Sequence, residues 1–401
     1  MPTDINQYLI HEAGRINFDI YRRKMYSSPW ITLPTKEFFP DGMGSTIDNI
    51  MWERPYVESE NEWSAMDVND GSGNTCIPPV DDVKFSQTLR RTQLYHKAVH
   101  SPYFCVTDLL YAGKRESQMK AVEEGLGEIV KHYWIKWNRD GFTNWSRKYV
   151  VEPGMSYTDE SDGMTFPATP ALGRFTPGVW DYFYNMLTLE QAAEHALSTQ
   201  NSRPVFGLMT DQLTMRNFMR GDDVIREDFR NSSKSDSLLE PLGVSHTYNG
   251  AVLMLDEMPP RYNFNPDADP GEDPWVSVPE YILDETDPAS PKKIVNPDWV
   301  TAEAQDSYII VKNAWKLRVP KSITSASKAN FEAQSWMGDF KWQNVINIDE
   351  SSSAYNPDGK LGRFRGVLAA GFEPLNPHIM ITVRHKVCPL DLGLVDCPVT
   401  P

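Results

Sequence analysis

Residues 106–137, VTDLLYAGKRESQMKAVEEGLGEIVKHYWIKW, carry the most sustained helical pattern in the chain. Met119, Val122, Leu126, Ile129, Tyr133 and Trp137 recur at steps of three and four, the spacing that gathers side chains on one face of an α-helix. Thr107 or Asp108 offers an oxygen to cap the first turn. Lys120, Glu124, Glu128 and Lys131 make the opposite, polar face. Gly113, Gly125 and Gly127 each cost about 1 kcal/mol relative to alanine, so tertiary packing has to hold this helix.

Upstream of the helix the pattern changes to strands. Residues 45–54, STIDNIMWER, read as a strand after Gly44, and Val83 to Tyr95 alternates again as a returning strand. Between them, residues 57–83 contain Glu58, Glu60, Glu62, Asp67, Asp70, Gly71 and Gly73 and only four main apolar side chains: Trp63, Met66, Val68 and Ile77. A polar connection of that length is rare inside a compact domain and usually has a function. Two strands flanking such a tip predict a long hairpin arm. Residues 1–50 mix short apolar groups with Pro and Gly and predict an extended arm with limited internal packing.

Downstream, Thr176-Pro177 caps a second helix with the stripe Val179, Phe183, Met186, Leu189, Ala193 and Ala196. Val205 to Met209 is a short apolar strand, after which Thr210 caps a helix bearing Leu213, Met215, Phe218 and Met219. Residues 246–250, HTYNG, form a turn leading into the buried strand 251–255, AVLML. Residues 263–298 are rich in Pro and Asp and read as an irregular insertion. Strand character returns at 307–319, at Trp342 to Ile348 and Phe364 to Ala370 around the turn 356–359, NPDG, and at Ile379 to Val383. Helices and strands mix without regular alternation, which predicts the α+β class.

The chain has 401 residues and a formal net charge of −16, with no basic run beyond Arg22-Arg23-Lys24. That balance argues against backbone-driven or sequence-specific DNA binding, while remaining compatible with a protein that encloses DNA without adhering to it. Cys76, Cys105, Cys388 and Cys397 form no CxxC pair, as expected of a reduced, cytosolic chain. The first 18 residues lack the basic segment and apolar run of a signal peptide. No apolar stretch reaches the roughly 18 residues that crossing a bilayer takes.

Motifs for chemistry are absent. There is no GxxxxGK loop, no GxGxxG opening a helix, no GxSxG elbow and no HExxH. His96 and His100 are four apart, but their segment reads as strand running to Pro102 and not as a metal-binding helix face. Residues 265–273, NPDADPGED, resemble a calcium loop, but glycine falls one place late and position 12 is Val276; a solvated acidic loop is the expectation. Asn144 and Asn231 sit in sequons that matter only in a secreted chain. Twelve Trp are spread along the sequence and do not gather beside paired acids, as a sugar cleft would require. No catalytic, cofactor-binding or metal residue is therefore expected.

Three stretches resemble the Hong Kong 97-type fold of tailed-bacteriophage major capsid proteins. The first is Ser101-Pro102-Tyr103-Phe104 with the long helix, similar to that family's spine helix. The second runs from Tyr248-Asn249-Gly250 through residues 256–262, DEMPPRY, similar to its middle-lobe strands. The third comprises Asn296-Pro297, Val319-Pro320, residues 338–342 (GDFKW) and residues 356–362 (NPDGKLG), similar to its carboxyl-terminal region. The resemblance implies an N-terminal arm over 1–49, an extended-loop hairpin over 50–95 and a peripheral domain with the spine helix over 96–175. It further implies an axial α/β domain over 176–300 containing the acidic Pro-rich insertion, and C-terminal strands over 301–401 that are mainly peripheral.

On that resemblance the chain is a non-enzymatic structural subunit. It self-assembles through a procapsid into an icosahedral or prolate shell of hexameric and pentameric capsomers around double-stranded DNA. Implied partners are further copies of itself, a separate scaffolding protein, a portal protein and a decoration protein, with no membrane and no cofactor. The implied location is the virion, after assembly in the host cytoplasm. Another virion component, tail- or portal-associated, is the alternative, and a carbohydrate-active enzyme is a third reading.

Overall fold

The computed structural model describes residues 28–38, 46–52, 56–57, 83–84, 87–105, 112–153, 157–159, 172–190, 192–200, 203–220, 247–248, 250–269, 273–284, 292–319, 341–344 and 361–387. These form two large sheets with helices packed on them, the α+β arrangement expected. The larger sheet has ten strands. Its main path runs Thr247–Tyr248, Ala251–Leu255, Arg203–Thr210, Ala304–Ile310, Ile381–Lys386, Arg147–Val151 and Tyr157–Asp159. Arg203–Thr210 lies parallel to Ala251–Leu255, and Ile381–Lys386 parallel to Arg147–Val151. The second sheet has six strands built around the 14-residue strand Leu361–Pro374, with Thr35–Phe38 and Trp315–Val319 on one side and Lys341–Asn344, Tyr95–His100 and Phe104–Cys105 along its other half.

The apolar run from Val205 to Met209 is fully buried, as a strand covered on both faces should be. The expected turn before Ala251 is present. Gly250 has φ +75°, and a Cβ there would sit 2.3 Å from the Tyr184 ring, so both backbone and space demand glycine.

The long helix is Ala112–Trp145, eight residues longer at its C-terminal end than the periodic stretch suggests. Past Trp137, residues 138, 139 and 141 each find a distant neighbour. Asn138 donates to the Trp134 carbonyl at 2.9 Å and accepts from the Trp315 indole at 3.3 Å. Gly141 leaves room for Phe372, whose ring would lie 2.5 Å from an added Cβ. The buried line runs in steps of four through Val122, Leu126, Val130, Trp134, Asn138 and Phe142. Ile129, expected on that face, is 36% exposed, and Tyr133 and Trp137 only flank it. Apolar residues at 129, 130, 133, 134, 135 and 137 cover more than one helix face, so periodicity alone does not choose the centre.

Other expectations are corrected. The second helix, Pro177–Leu189, has Thr176 at the N-cap position, but the threonine hydroxyl makes no capping hydrogen bond; the helix buries Val179, Trp180, Phe183 and Leu187 and leaves Leu189 exposed. The helix Gln212–Arg220 is capped by Asp211, which accepts from the Thr214 N–H at 3.0 Å; Thr210 ends the preceding strand instead. The 263–298 stretch is not irregular. It contains the hairpin Arg261–Phe264/Trp275–Val278 and the hairpin Tyr281–Asp284/Lys292–Val295. The N-terminal stretch was expected to pack little, but the helical turn Pro29–Thr32 buries Trp30 and Ile31 completely, and Thr35–Phe38 pairs in parallel with Trp315–Val319. The tip 58–82, Thr107, Asp108 and the 356–359 turn lie outside the described residues.

This burial difference is directly measurable. Leu126→Ala should cost about 2–5 kcal/mol in denaturant unfolding because Leu126 is 3% exposed. Ile129→Ala should stay within about 0.5 kcal/mol of wild type.

Candidate assembly site

The strand Thr46–Trp52 pairs antiparallel with Gln87–Gln93 in unbroken register from Thr46↔Gln93 to Trp52↔Gln87, and Tyr56–Val57 pairs antiparallel with Val83–Lys84. This is the hairpin that the alternation on either side of residues 57–83 predicts. It stands outside both large sheets. Leu89 is 65% exposed, and Arg91 meets Asp48 directly opposite at 2.8 Å. The hydrogen bond from Arg91 holds the Asp48 carboxyl below the usual carboxylate range. Both groups are open to solvent, so their pairing orients the ribbon more than it stabilises it.

At its root the ribbon becomes part of the body. Thr92 is buried, and Gly371 on the long strand allows close approach: an added Cβ would lie 3.0 Å from the Gln93 carbonyl oxygen and from Thr92 Cγ2. Beside the root, between the strand Tyr95–His100 and the last turns of the long helix, is a cleft of about 640 Å³. Tyr95, Tyr133, Trp137, Trp145, Leu368 and Phe372 line it. Tyr95 meets Trp137 edge to face at 6.2 Å, and Lys97 Nζ lies 3.8 Å from the centre of the Tyr133 ring. His96 and His100 sit on this strand opposite Ala369 and Arg365, as the strand reading requires. The His100 pKa is lowered, first by desolvation and then by Arg363 and Arg365.

Behind this surface, buried charges tie distant segments together. Arg139, on the helix extension that sequence periodicity misses, donates to Glu280 and to the Met258 carbonyl. Burial opposes its charge, but the carboxylates of Asp256 and Glu280 outweigh that and keep it protonated. His132 Nε2 lies 3.5 Å from Glu280; burial pushes its pKa down, against the pull of the carboxylate. Arg384 pairs with Asp306 at 2.9 Å and Asp273 at 3.3 Å, and lies over the Tyr262 ring. Arg261 reaches Asp211 at 3.4 Å and the Trp299 carbonyl at 3.0 Å. The acidic 265–273 loop therefore contributes Asp273 to an ion pair, and Asn265 Oδ1 accepts from the Asp267 N–H.

One arrangement looks like enzyme machinery. Ser307 Oγ lies 2.7 Å from His385 Nε2, and His385 Nδ1 is 3.1 Å from the Lys386 carbonyl. The carbonyl accepts only from a protonated Nδ1, which leaves Nε2 to accept from the serine hydroxyl. Ser307 also meets the Thr210 hydroxyl at 2.6 Å, and both Ser307 and His385 have no exposed surface. A nucleophile sealed in a sheet reaches no substrate, so this chain of hydroxyls joins strands. Among the described residues no group of three or more His, Cys, Asp and Glu gathers as a metal site, and no helix is long and apolar enough to cross a membrane.

No family model and no curated protein matches the chain. Among solved structures, the chain is similar to chains of phage capsids. One is the Cyanophage Pam1 capsid asymmetric unit, at 8% identity and TM-score 0.45, covering 91% of this chain and 93% of that one. Another is the capsid of Ralstonia phage GP4, at 9% identity and TM-score 0.42, covering 86% and 84%. A third is the head structure of Helicobacter pylori bacteriophage KHP40, at 10% identity and TM-score 0.42, covering 90% and 91%.

Two measurements test the buried polar groups. Glu280→Ala leaves Arg139 buried beside one fewer carboxylate and should cost about 3–5 kcal/mol in chemical denaturation. For His385, burial lowers the pKa from the ordinary 6.5. The unfolded chain then binds the extra proton, so the contribution to stability is full above that pH and is lost as pH falls below it toward the folded value. The unfolding midpoint should drop on acidification below pH 6.5, and His385→Gln should flatten that dependence.

Proposed function

We propose that this chain is the major capsid protein of a tailed bacteriophage, a structural subunit that builds hexameric and pentameric capsomers of a shell around double-stranded DNA. The observation that carries the reading is the ribbon 46–52/87–93. It is rooted firmly at Thr92 and Gly371, then runs out of both sheets toward a tip of some 25 residues that is too polar to anchor itself. A two-stranded hairpin is marginal in water on its own. One that extends this far gains its stability by lying on another chain. The resemblance of the flanking segments to the Hong Kong 97-type family supports the same reading, with the long helix as spine.

Under this proposal residues 1–49 form the arm, 50–95 the extended loop, 96–175 and 301–401 the peripheral domain, and 176–300 the axial domain. Trp30 modifies the first boundary, since the end of the arm is pinned in the core. A separate scaffolding protein, a portal protein and a decoration protein are the proposed partners, and the assembled virion, built in the host cytoplasm, is the proposed location. A net charge of −16 suits an inner wall that encloses DNA without holding it.

The test separates folding from assembly. Replacing residues 60–76 with a short Gly-Ser turn should leave a cooperative unfolding transition, because loop-closure entropy depends weakly on length. The same variant, expressed with the matching scaffold, should make no closed particles by negative-stain microscopy. Normal particles would refute the bridging role, and loss of folding would place the loop in the core.

A further inference from the structure

We infer that a second ribbon, Tyr281–Asp284 paired with Lys292–Val295, joins successive copies of this chain edge to edge and head to tail. The inference rests on the shell-subunit reading and names a contact within it. Four of the twelve exposed large hydrophobic residues among the described residues fall here: Ile282, Leu283, Ile294 and Val295. Leu283 is 63% exposed and Val295 44%. The base of the ribbon is tied to the body. Tyr281 meets His132 of the long helix edge to face at 5.6 Å, and the Asn296 N–H donates to the Glu280 carbonyl at 3.0 Å.

Among the described residues, this two-stranded sheet pairs with no third strand, so each strand presents an outer edge. Open edges with exposed apolar side chains are templates for pairing with another chain. The occupant follows from charge. One strand, Tyr-Ile-Leu-Asp, runs into Asp284-Glu285-Thr286-Asp287; the other begins Lys292-Lys293. Within the ribbon the antiparallel register already sets Asp284 opposite Lys292, Ile282 opposite Ile294 and Tyr281 opposite Val295. The outer edge of 281–284 on one copy meets the outer edge of 292–295 on the next with that same match of acid to base and apolar to apolar. Two copies of the same edge paired antiparallel would instead set Asp284 opposite Tyr281, or Lys292 opposite Val295, with no acid-to-base match. The contact is therefore heterologous, and a heterologous contact that closes by rotation generates rings.

The experiment uses single cysteines in the full chain. Chains carrying Leu283→Cys are mixed with chains carrying Lys293→Cys, assembled with scaffold and oxidised, with wild type oxidised in parallel to report the four native cysteines. The expected result is a covalent dimer in the assembled mixture and in neither variant alone. Dimers from the Leu283→Cys chain alone would mean that like edges meet, which overturns the head-to-tail contact. Particles that form without covalent dimers in the mixture would also overturn it, while leaving the shell reading intact. Failure of wild type to form any ring or particle would remove the shell reading, and this inference with it.

Discussion

Four aromatic rings meet at one point, and the two sheets depend on that meeting. Trp30 comes from the N-terminal helical turn, Phe142 from the end of the long helix, Tyr308 from the ten-stranded sheet and Trp315 from the six-stranded sheet. Trp30 stands edge-on to Tyr308 at 4.9 Å and to Phe142 at 5.8 Å, and Phe142 is edge-on to Trp315 at 5.2 Å. All four are among the largest fully buried side chains. Edge-to-face contacts have narrow angular preferences, and rigid rings transmit them. The cluster therefore sets the angle between the sheets and stops the helix from sliding along either.

Around this apolar centre the molecule uses buried polar groups as pegs. The strand Ala304–Ile310 is buried along its entire length yet includes Gln305, Asp306 and Ser307. Gln305 donates to Asp211 and Thr214, Asp306 holds Arg384 and accepts from the Tyr262 hydroxyl, and Ser307 bridges Thr210 and His385. Desolvating such groups offsets much of their mutual attraction, so their main effect is positional. Leucines at these sites would pack in several registers; a carboxylate under a guanidinium has one. Arg139 and Glu280 peg the base of the 281–295 ribbon to the long helix in the same way.

What the core does not use is as informative as what it does. Among the described residues, two ribbons lie outside both sheets, each tied to the body at one end. A monomeric domain usually blunts such edges or covers them. Here the edges are sequence-matched to carry charge and apolar side chains outward, and the aromatic cleft beside the first ribbon leaves Tyr95 and Trp145 exposed. Rigid body and open ribbons together fit the shell-subunit reading proposed above.

Most of the element inventory was readable from local pattern. The three- and four-residue recurrence marked the long helix, alternation on either side of a polar tip marked the 46–93 hairpin, Asn249-Gly250 marked the turn before Ala251, and Thr176-Pro177 marked a helix start. These signals are local because hydrogen bonding in a helix turn or a tight turn involves residues a few positions apart. The choices that depended on a remote partner were not readable. Val130 rather than Ile129 faces inward because two sheets meet there. The helix continues past Trp137 because Arg139 finds Glu280, which lies 141 positions further along. Trp30 belongs to the core because Phe142, Tyr308 and Trp315 make a slot for it. Asp211 rather than Thr210 caps its helix because Thr210 is held by Ser307. Sequence alone determined most of the helices, strands and turns, though not the strands at 35–38 and within 263–298; only the tertiary structure decided those and which face, length and cap each element adopts, since they were settled by groups far away in the chain.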